Sequence, residues 1–107
     1  MMKRILLPGL VLFLAGAATA YAEQGRSGKE IFNKHCVHCH APGYEYPGTL
    51  QLSVTRGKDK GVLEERDDLN ADYIRYIVRN GLRAMPPFKP TNITNEELKA
   101  LADYLVE

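Results

Sequence analysis

The residues of this chain best equipped for chemistry lie together in Cys36-Val37-His38-Cys39-His40. Two thiols at the C-x-x-C spacing, with a histidine directly after the second, form the attachment sequence of a c-type haem. Thiols placed this way at the end of a helix reach the two vinyl groups on one porphyrin edge and form thioethers. His40 is then held beneath the iron as the proximal ligand, and imidazole is a donor well suited to haem iron. Three other readings compete. A thioredoxin-like redox pair needs a βαβ setting that the sequence lacks. A structural zinc site needs four closed ligands, and the remaining histidines, His35 and His38, crowd the same short stretch. A plain Cys36–Cys39 disulfide would leave the adjacent histidine unexplained.

Haem iron has a second axial position. Met85 is the only methionine beyond the first two residues. It sits in Arg83-Ala84-Met85-Pro86-Pro87-Phe88, where consecutive prolines stiffen the backbone and lower the cost of ordering it. The ordinary use of a lone methionine is to fill gaps in a core. Its place in a proline loop favours ligation, the His/Met pattern of electron-transfer haems. His35 and His38 stand too close to the attachment segment to reach the far face of a haem. His38 is expected to face solvent, and His35 to cap a helix or pack beside the haem.

The elements that position these groups are helical. Ser27-Gly28-Lys29-Glu30 and Thr94-Asn95-Glu96-Glu97 have the form of capping boxes. The first starts a helix that runs to about His35, with Gly28, Ile31, Phe32 and His35 on one side. The second starts a helix with Leu98, Leu101, Ala102 and Leu105 at i, i+3, i+4 and i+7. Asn70 is the expected N-cap of a helix over 71–80, stopped at Asn80-Gly81. Residues 41–52, rich in Pro, Gly and Tyr, read as an irregular loop, and residues 62–66 as a short helical turn. Residues 82–92 hold three prolines and read as loop. No segment has strand periodicity. Loops of such length in a small domain need a reason, and a bound cofactor is one.

Composition narrows the function. With 107 residues and a formal charge of +1, the chain has room for one domain and no electrostatic case for binding nucleic acid. Residues 1–22 read as a secretory signal peptide. Lys3 and Arg4 precede an apolar run broken by Pro8, and Ala20-Tyr21-Ala22 is an A-x-A-like cleavage site. Cleavage leaves residues 23–107 with a formal charge of −1, without stable membrane insertion, in the periplasm. A domain this small buries a modest core and benefits from a staple such as a cofactor.

The chain resembles the small bacterial class I cytochromes c over Gly25–Glu107. The resemblance rests on C-V-H-C-H at 36–40, M-P-P-F at 85–88 and the last amphipathic helix. Gly28 and Phe32 on the first helix match the family's crossing with Leu101 and Tyr104 on the last. The stretch Tyr73–Pro86 is similar to the cytochrome subunits that serve bacterial periplasmic flavoprotein dehydrogenases, the cytochrome of p-cresol methylhydroxylase among them. The resemblance implies an all-α cytochrome c-like fold of three main helices and long loops around one covalently bound haem c. It implies Cys36 and Cys39 as thioether residues, His40 and Met85 as axial ligands, and electron carriage rather than catalysis. A periplasmic dehydrogenase, flavoprotein or quinoprotein, is the implied donor, and a downstream cytochrome or oxidase of the respiratory chain the acceptor. The family's usual Gly-Pro is reversed here as Pro47-Gly48, and Pro47 is the candidate carbonyl acceptor for His40.

Two strong axial ligands leave no open position on the iron. The competing function is a peroxidase-like haem enzyme or gas sensor, which needs a labile sixth ligand. Phe32, Ile77, Val78, Leu98 and Leu101 are expected to bury the macrocycle. Arg75, Arg79 and Arg83, spaced by four with Lys89 beyond, form either a docking or propionate-binding stripe or a solvated face. Glu64, Glu65, Asp67 and Asp68 supply an acidic counterpart. Residues 51–68 are expected to cover a haem edge or to form part of a docking surface.

Overall fold

The computed structural model describes Gly9 and residues 25–107. Apart from Gly9, the expected signal peptide lies outside the described residues. The elements are α1 (Gly28–His35), α2 (Val37–His40), α3 (Pro47–Arg56), α4 (Ala71–Asn80) and α5 (Asn95–Val106). Two 3-10 turns, Lys58–Lys60 and Leu63–Glu65, lie between α3 and α4. Among the described residues there is no strand, only an isolated bridge between Leu82 and Met85. The protein is all-α.

Three helices start where their caps predict. Ser27 Oγ accepts from the Glu30 N–H at 3.2 Å, and the Glu30 carboxylate accepts in return from the Ser27 N–H. Asn70 Oδ1 accepts from the Tyr73 N–H at 3.0 Å. Thr94 and Glu97 complete the second box, at 3.1 and 3.0 Å. Each pair satisfies helix-end donors that would otherwise be unpaired. Helix α4 ends at Gly81, whose φ of 73° suits glycine.

Residues 41–46 are irregular as expected, but helix α3 overturns the expectation of a loop over residues 47–52. Pro47 occupies the first turn, where its missing N–H costs nothing and its fixed φ is helical. Two buried hydroxyls then tie the segment down. Thr49 Oγ1 donates to the Ala41 carbonyl and Ser53 Oγ to the Thr49 carbonyl, each at 2.7 Å. Composition alone read these residues as turn formers, whereas packing against α2 makes them a helix. The 3-10 turn Leu63–Glu65 agrees with the expected helical turn.

The core forms where α1, α4 and α5 meet. Ile31, Phe32, Ile93 and Leu101 are wholly excluded from solvent, joined by Ile74, Val78, Leu98 and Leu105. Helix α1 crosses α5 at Gly28, where a Cβ would lie 2.2 Å from the Ala100 carbonyl oxygen and 2.5 Å from Tyr104 Cβ. Phe32 and Tyr104 continue the contact, their ring centroids 6.3 Å apart. Arg26, just before α1, donates to the buried Glu97 carboxylate at 3.2 Å. No helix of the described residues is long and apolar enough to cross a membrane.

Gly28→Ala is expected to cost about 3 kcal/mol, because the new methyl meets backbone that cannot turn aside. Chemical denaturation measures this. The Thr94 N–H, then Arg26, hold the Glu97 carboxyl below its ordinary value. A depressed folded-state value contributes stability above the unfolded value of about 4.3, lost as pH falls through the folded value. Denaturation midpoints should therefore drop in acid, and Glu97→Gln should flatten that part of the profile.

Candidate functional site

A single cavity of about 1340 Å³ receives Cys36, Cys39, His40 and Met85 together. The attachment segment reaches it because α1 hands directly into α2. The Cys36 N–H donates to the Phe32 carbonyl at 2.8 Å, and the His40 N–H to the Cys36 carbonyl at 2.9 Å. The wall is largely apolar, with Leu52, Leu69, Ile74, Ile77, Val78 and Leu105 among its residues. Ile77, Val78 and Leu101 line it as expected. Phe32 and Leu98 do not: both are buried in the core cluster, where Phe32 packs on Tyr104 of α5.

Cys36 and Cys39 are not bridged to one another. Cys39 is exposed, whereas Cys36 is half-buried. Burial first, then the neighbouring Cys39 and Glu64, pushes the Cys36 thiol up to about 12. His38 faces solvent, as expected. His35 turns its ring edge-on to Phe88, centroids 5.6 Å apart, and lines the cavity.

His40 carries the most informative atom. Its Nδ1 is buried without a hydrogen-bond partner among the described residues. Desolvation lowers its pKa, so the ring is neutral at neutral pH, the form that ligates metals. The expected acceptance by the Pro47 carbonyl is therefore absent. Pro47 opens α3, and a first-turn carbonyl is directed along the helix axis to its own i+4 partner. What touches the imidazole is Gly48: a Cβ there would lie 2.6 Å from His40 Cε1 and 2.8 Å from Nδ1. Sequence reasoning gave Gly48 no role. Its available signal was a glycine directly after the first-turn proline.

Met85 is fixed by its loop. Leu82 and Met85 exchange N–H···O bonds at 3.1 and 2.9 Å, and the Phe88 N–H donates to the Val78 carbonyl at 2.7 Å. Arg83, at φ 53°, turns the chain between Leu82 and Met85.

The charged residues divide differently from the expected stripes. Arg75 pairs with Asp72 on the same helix. Arg79 is half-buried and spends its guanidinium on the loop after Met85, so only Arg83 of the three is left as an exposed arginine beside the cavity. Asp68 holds Arg66 at 2.8 Å and Lys60 at 3.2 Å, and the hydrogen bond from Arg66 drives its carboxyl far below the usual range. Glu64 accepts from the Tyr104 hydroxyl, which pushes that phenol up to about 12. Half of the acidic cluster thus ties residues 60–68 together and to α5. Of residues 51–68, Gln51, Leu52, Thr55, Arg56, Lys60, Leu63, Arg66 and Asp68 line the cavity.

These features fit a haem c. They comprise an apolar cavity, two unbridged thiols on it, a neutral buried imidazole with an unpartnered nitrogen, and a thioether sulfur. Among the described residues, no group of three or more His, Cys, Asp or Glu side chains is arranged to hold a metal ion directly.

Comparison with known proteins defines the class. Residues 23–105 match the family described as cytochrome C oxidase, cbb3-type, subunit III. The chain belongs to this family of c-type cytochromes. It is 38% identical over 107 residues to the 4-cresol dehydrogenase [hydroxylating] cytochrome c subunit of Pseudomonas putida, covering 96% of this chain and 82% of that one. It is 32% identical over 97 residues to the chloroplastic cytochrome c6 of Chlamydomonas reinhardtii, covering 89% and 62%. The crystal structure of p-cresol methylhydroxylase with substrate bound contains a chain that superposes with a TM-score of 0.55 at 41% identity, covering 75% of this chain and 89% of that one. The fold is that of cytochrome c, and the family implies a haem c. The relatives are electron-transfer cytochromes, and this protein is an electron-transfer protein rather than an enzyme.

Gly48→Ala is expected to displace the His40 ring and to destabilise the fold by about 1–3 kcal/mol. The His40 imidazole resonances in NMR report the displacement. Unmoved resonances would show that Gly48 does not seat the ring.

Proposed function

We propose that this protein is an exported monohaem cytochrome that carries single electrons from a periplasmic dehydrogenase towards the respiratory chain. The observation that carries the reading is the convergence of Cys36, Cys39, His40 and Met85 on one apolar cavity. In this reading Cys36 and Cys39 would hold the haem through thioethers, and His40 and Met85 would ligate its iron. A haem so held supplies a one-electron Fe(III)/Fe(II) couple.

The chain's own residues do the rest. His40 stays neutral through burial and offers a lone pair. Met85 supplies a soft sulfur that favours Fe(II). If His40 and Met85 both ligated the iron, no position would be left for a small molecule, which would distinguish a carrier from a peroxidase-like enzyme or a gas sensor. Ile77, Val78, Leu101 and Leu105 exclude water, and a low local dielectric disfavours the extra positive charge of the oxidised state.

Export rests on residues 1–22 as a cleaved leader, and the family match that begins at residue 23 supports it. The donor class, a flavoprotein or quinoprotein dehydrogenase, is supported by the likeness to a dehydrogenase's cytochrome subunit. The acceptor in this scheme is a downstream cytochrome or oxidase.

The test is spectroscopy on the exported protein. Its mass should equal residues 23–107 plus one haem. The oxidised form should show the weak far-red sulfur-to-iron band of His/Met ligation, and the reduced form should leave carbon monoxide unbound. Met85→Ala should remove the band, lower the midpoint potential and admit carbon monoxide. A parent protein that binds carbon monoxide readily would overturn the carrier reading in favour of the enzyme or sensor.

A further inference from the structure

Residues 82–93 form the segment that presents Met85, and the backbone bonds within it fall at its two ends, between Leu82 and Met85 and from Asn92 and Ile93 to Lys89. Pro86, Pro87 and Pro90 have no N–H to donate. The Lys89 carbonyl thus accepts from N–H groups of the segment itself, whereas the Phe88 and Ile93 carbonyls take their donor from outside it. Arg79, in the last turn of α4, is that donor. Its Nη1 donates to the Phe88 carbonyl at 3.0 Å and to the Ile93 carbonyl at 2.8 Å, and its Nη2 donates to Asn95 Oδ1 at 2.8 Å. One guanidinium thus joins the end of α4, the stretch just after Met85-Pro86-Pro87 and the start of α5. Among the described residues it makes no carboxylate salt bridge. The planar fork makes all three bonds with no acidic partner, which a lysine ammonium cannot reproduce in the same geometry.

We infer that Arg79 is the positioning residue of the Met85 loop, and that its three hydrogen bonds keep the sulfur in place against competing ligands. The inference rests on Met85 being an axial ligand. Met85 itself is held on its N-terminal side by the exchange with Leu82 and by close packing of Gly81. On its C-terminal side the Phe88 N–H bond to Val78 and the Arg79 fork are the ties. Hydrogen bonds from a charged donor are among the stronger ones in proteins. Removing them frees the Phe88 carbonyl from the end of α4, while the Ile93 side chain remains buried in the core.

The experiment is an imidazole titration of the oxidised holoprotein, followed by loss of the far-red sulfur band, with thermal unfolding measured in parallel. Arg79→Gln is expected to bind imidazole on the order of tenfold to a hundredfold more tightly than the parent, the loss of one to two such bonds. Arg79→Lys keeps the charge but not the fork and should behave like Arg79→Gln. Arg75→Gln, on the same helix but paired only with Asp72, should match the parent. Asn95→Ala removes a single acceptor and should give a smaller shift in the same direction, which supplies a mild variant should Arg79→Gln not fold. If Arg79→Lys matches the parent, charge rather than the fork is responsible and the inference fails. It fails equally if the Arg79 variants lose thermal stability with no change in imidazole affinity, or if Arg75→Gln shifts affinity as much. A parent protein without the sulfur band would overturn the ligand reading and this inference with it, whereas a band that responds only to Met85→Ala would overturn this inference alone.

Discussion

Everything else in this small protein depends on two backbones touching. Helix α1 meets α5 with no side chain between Gly28 and the Ala100 carbonyl, and a single methyl at that point has nowhere to go. The close approach aligns Phe32 with Tyr104 and buries Ile31 and Leu101 completely. The Arg26–Glu97 pair spans 71 positions of sequence and fastens the same crossing from outside. Because α1 runs directly into the attachment segment, the crossing also decides where Cys36 and His40 stand. A looser contact between the first and last helices would therefore be felt at the site before it was felt in the helices.

The middle of the chain has a different logic. It wraps a cavity instead of filling a core, so its segments are held to one another by polar ties at their edges. Thr49 to Ala41, Asp68 to Arg66 and Lys60, Tyr104 to Glu64 and Arg79 to the Met85 loop are ties of this kind. Few of these groups reach deep into the protein. They decide the spacing of the walls, and a cofactor fitted to that spacing would supply the apolar contacts that a chain of this size cannot make with its own side chains.

How much of this was readable in the sequence follows from how local each signal is. Capping boxes are local, so α1 and α5 begin where Ser27 and Thr94 place them, and Asn70 and Gly81 bound α4 as written. The convergence of C-x-x-C-H with a methionine loop was legible from residue types and the family likeness. Helix α3 was not, because Pro47, Gly48 and Thr49 favour turns unless a neighbour packs on them, and that neighbour is α2. The same ignorance of packing hid Gly48 beneath the His40 ring, moved Phe32 and Leu98 to the core cluster, and made Arg79 look like one member of a surface stripe. Spacing by four identifies a helix face; it does not reveal what lies across from it.

The prolines around Met85 also determine how motion of that loop would be seen. Pro86, Pro87 and Pro90 carry no exchangeable amide, so the stretch directly after Met85 is silent in hydrogen exchange until Phe88. Met85 and Phe88, which flank the Pro86-Pro87 pair, have N–H groups bonded to the Leu82 and Val78 carbonyls. Local openings expose such amides without unfolding the whole chain. The protection of these two amides, one on each side of the proline pair, therefore separates a loop that swings from its Leu82 end from one that peels away from its Phe88 end.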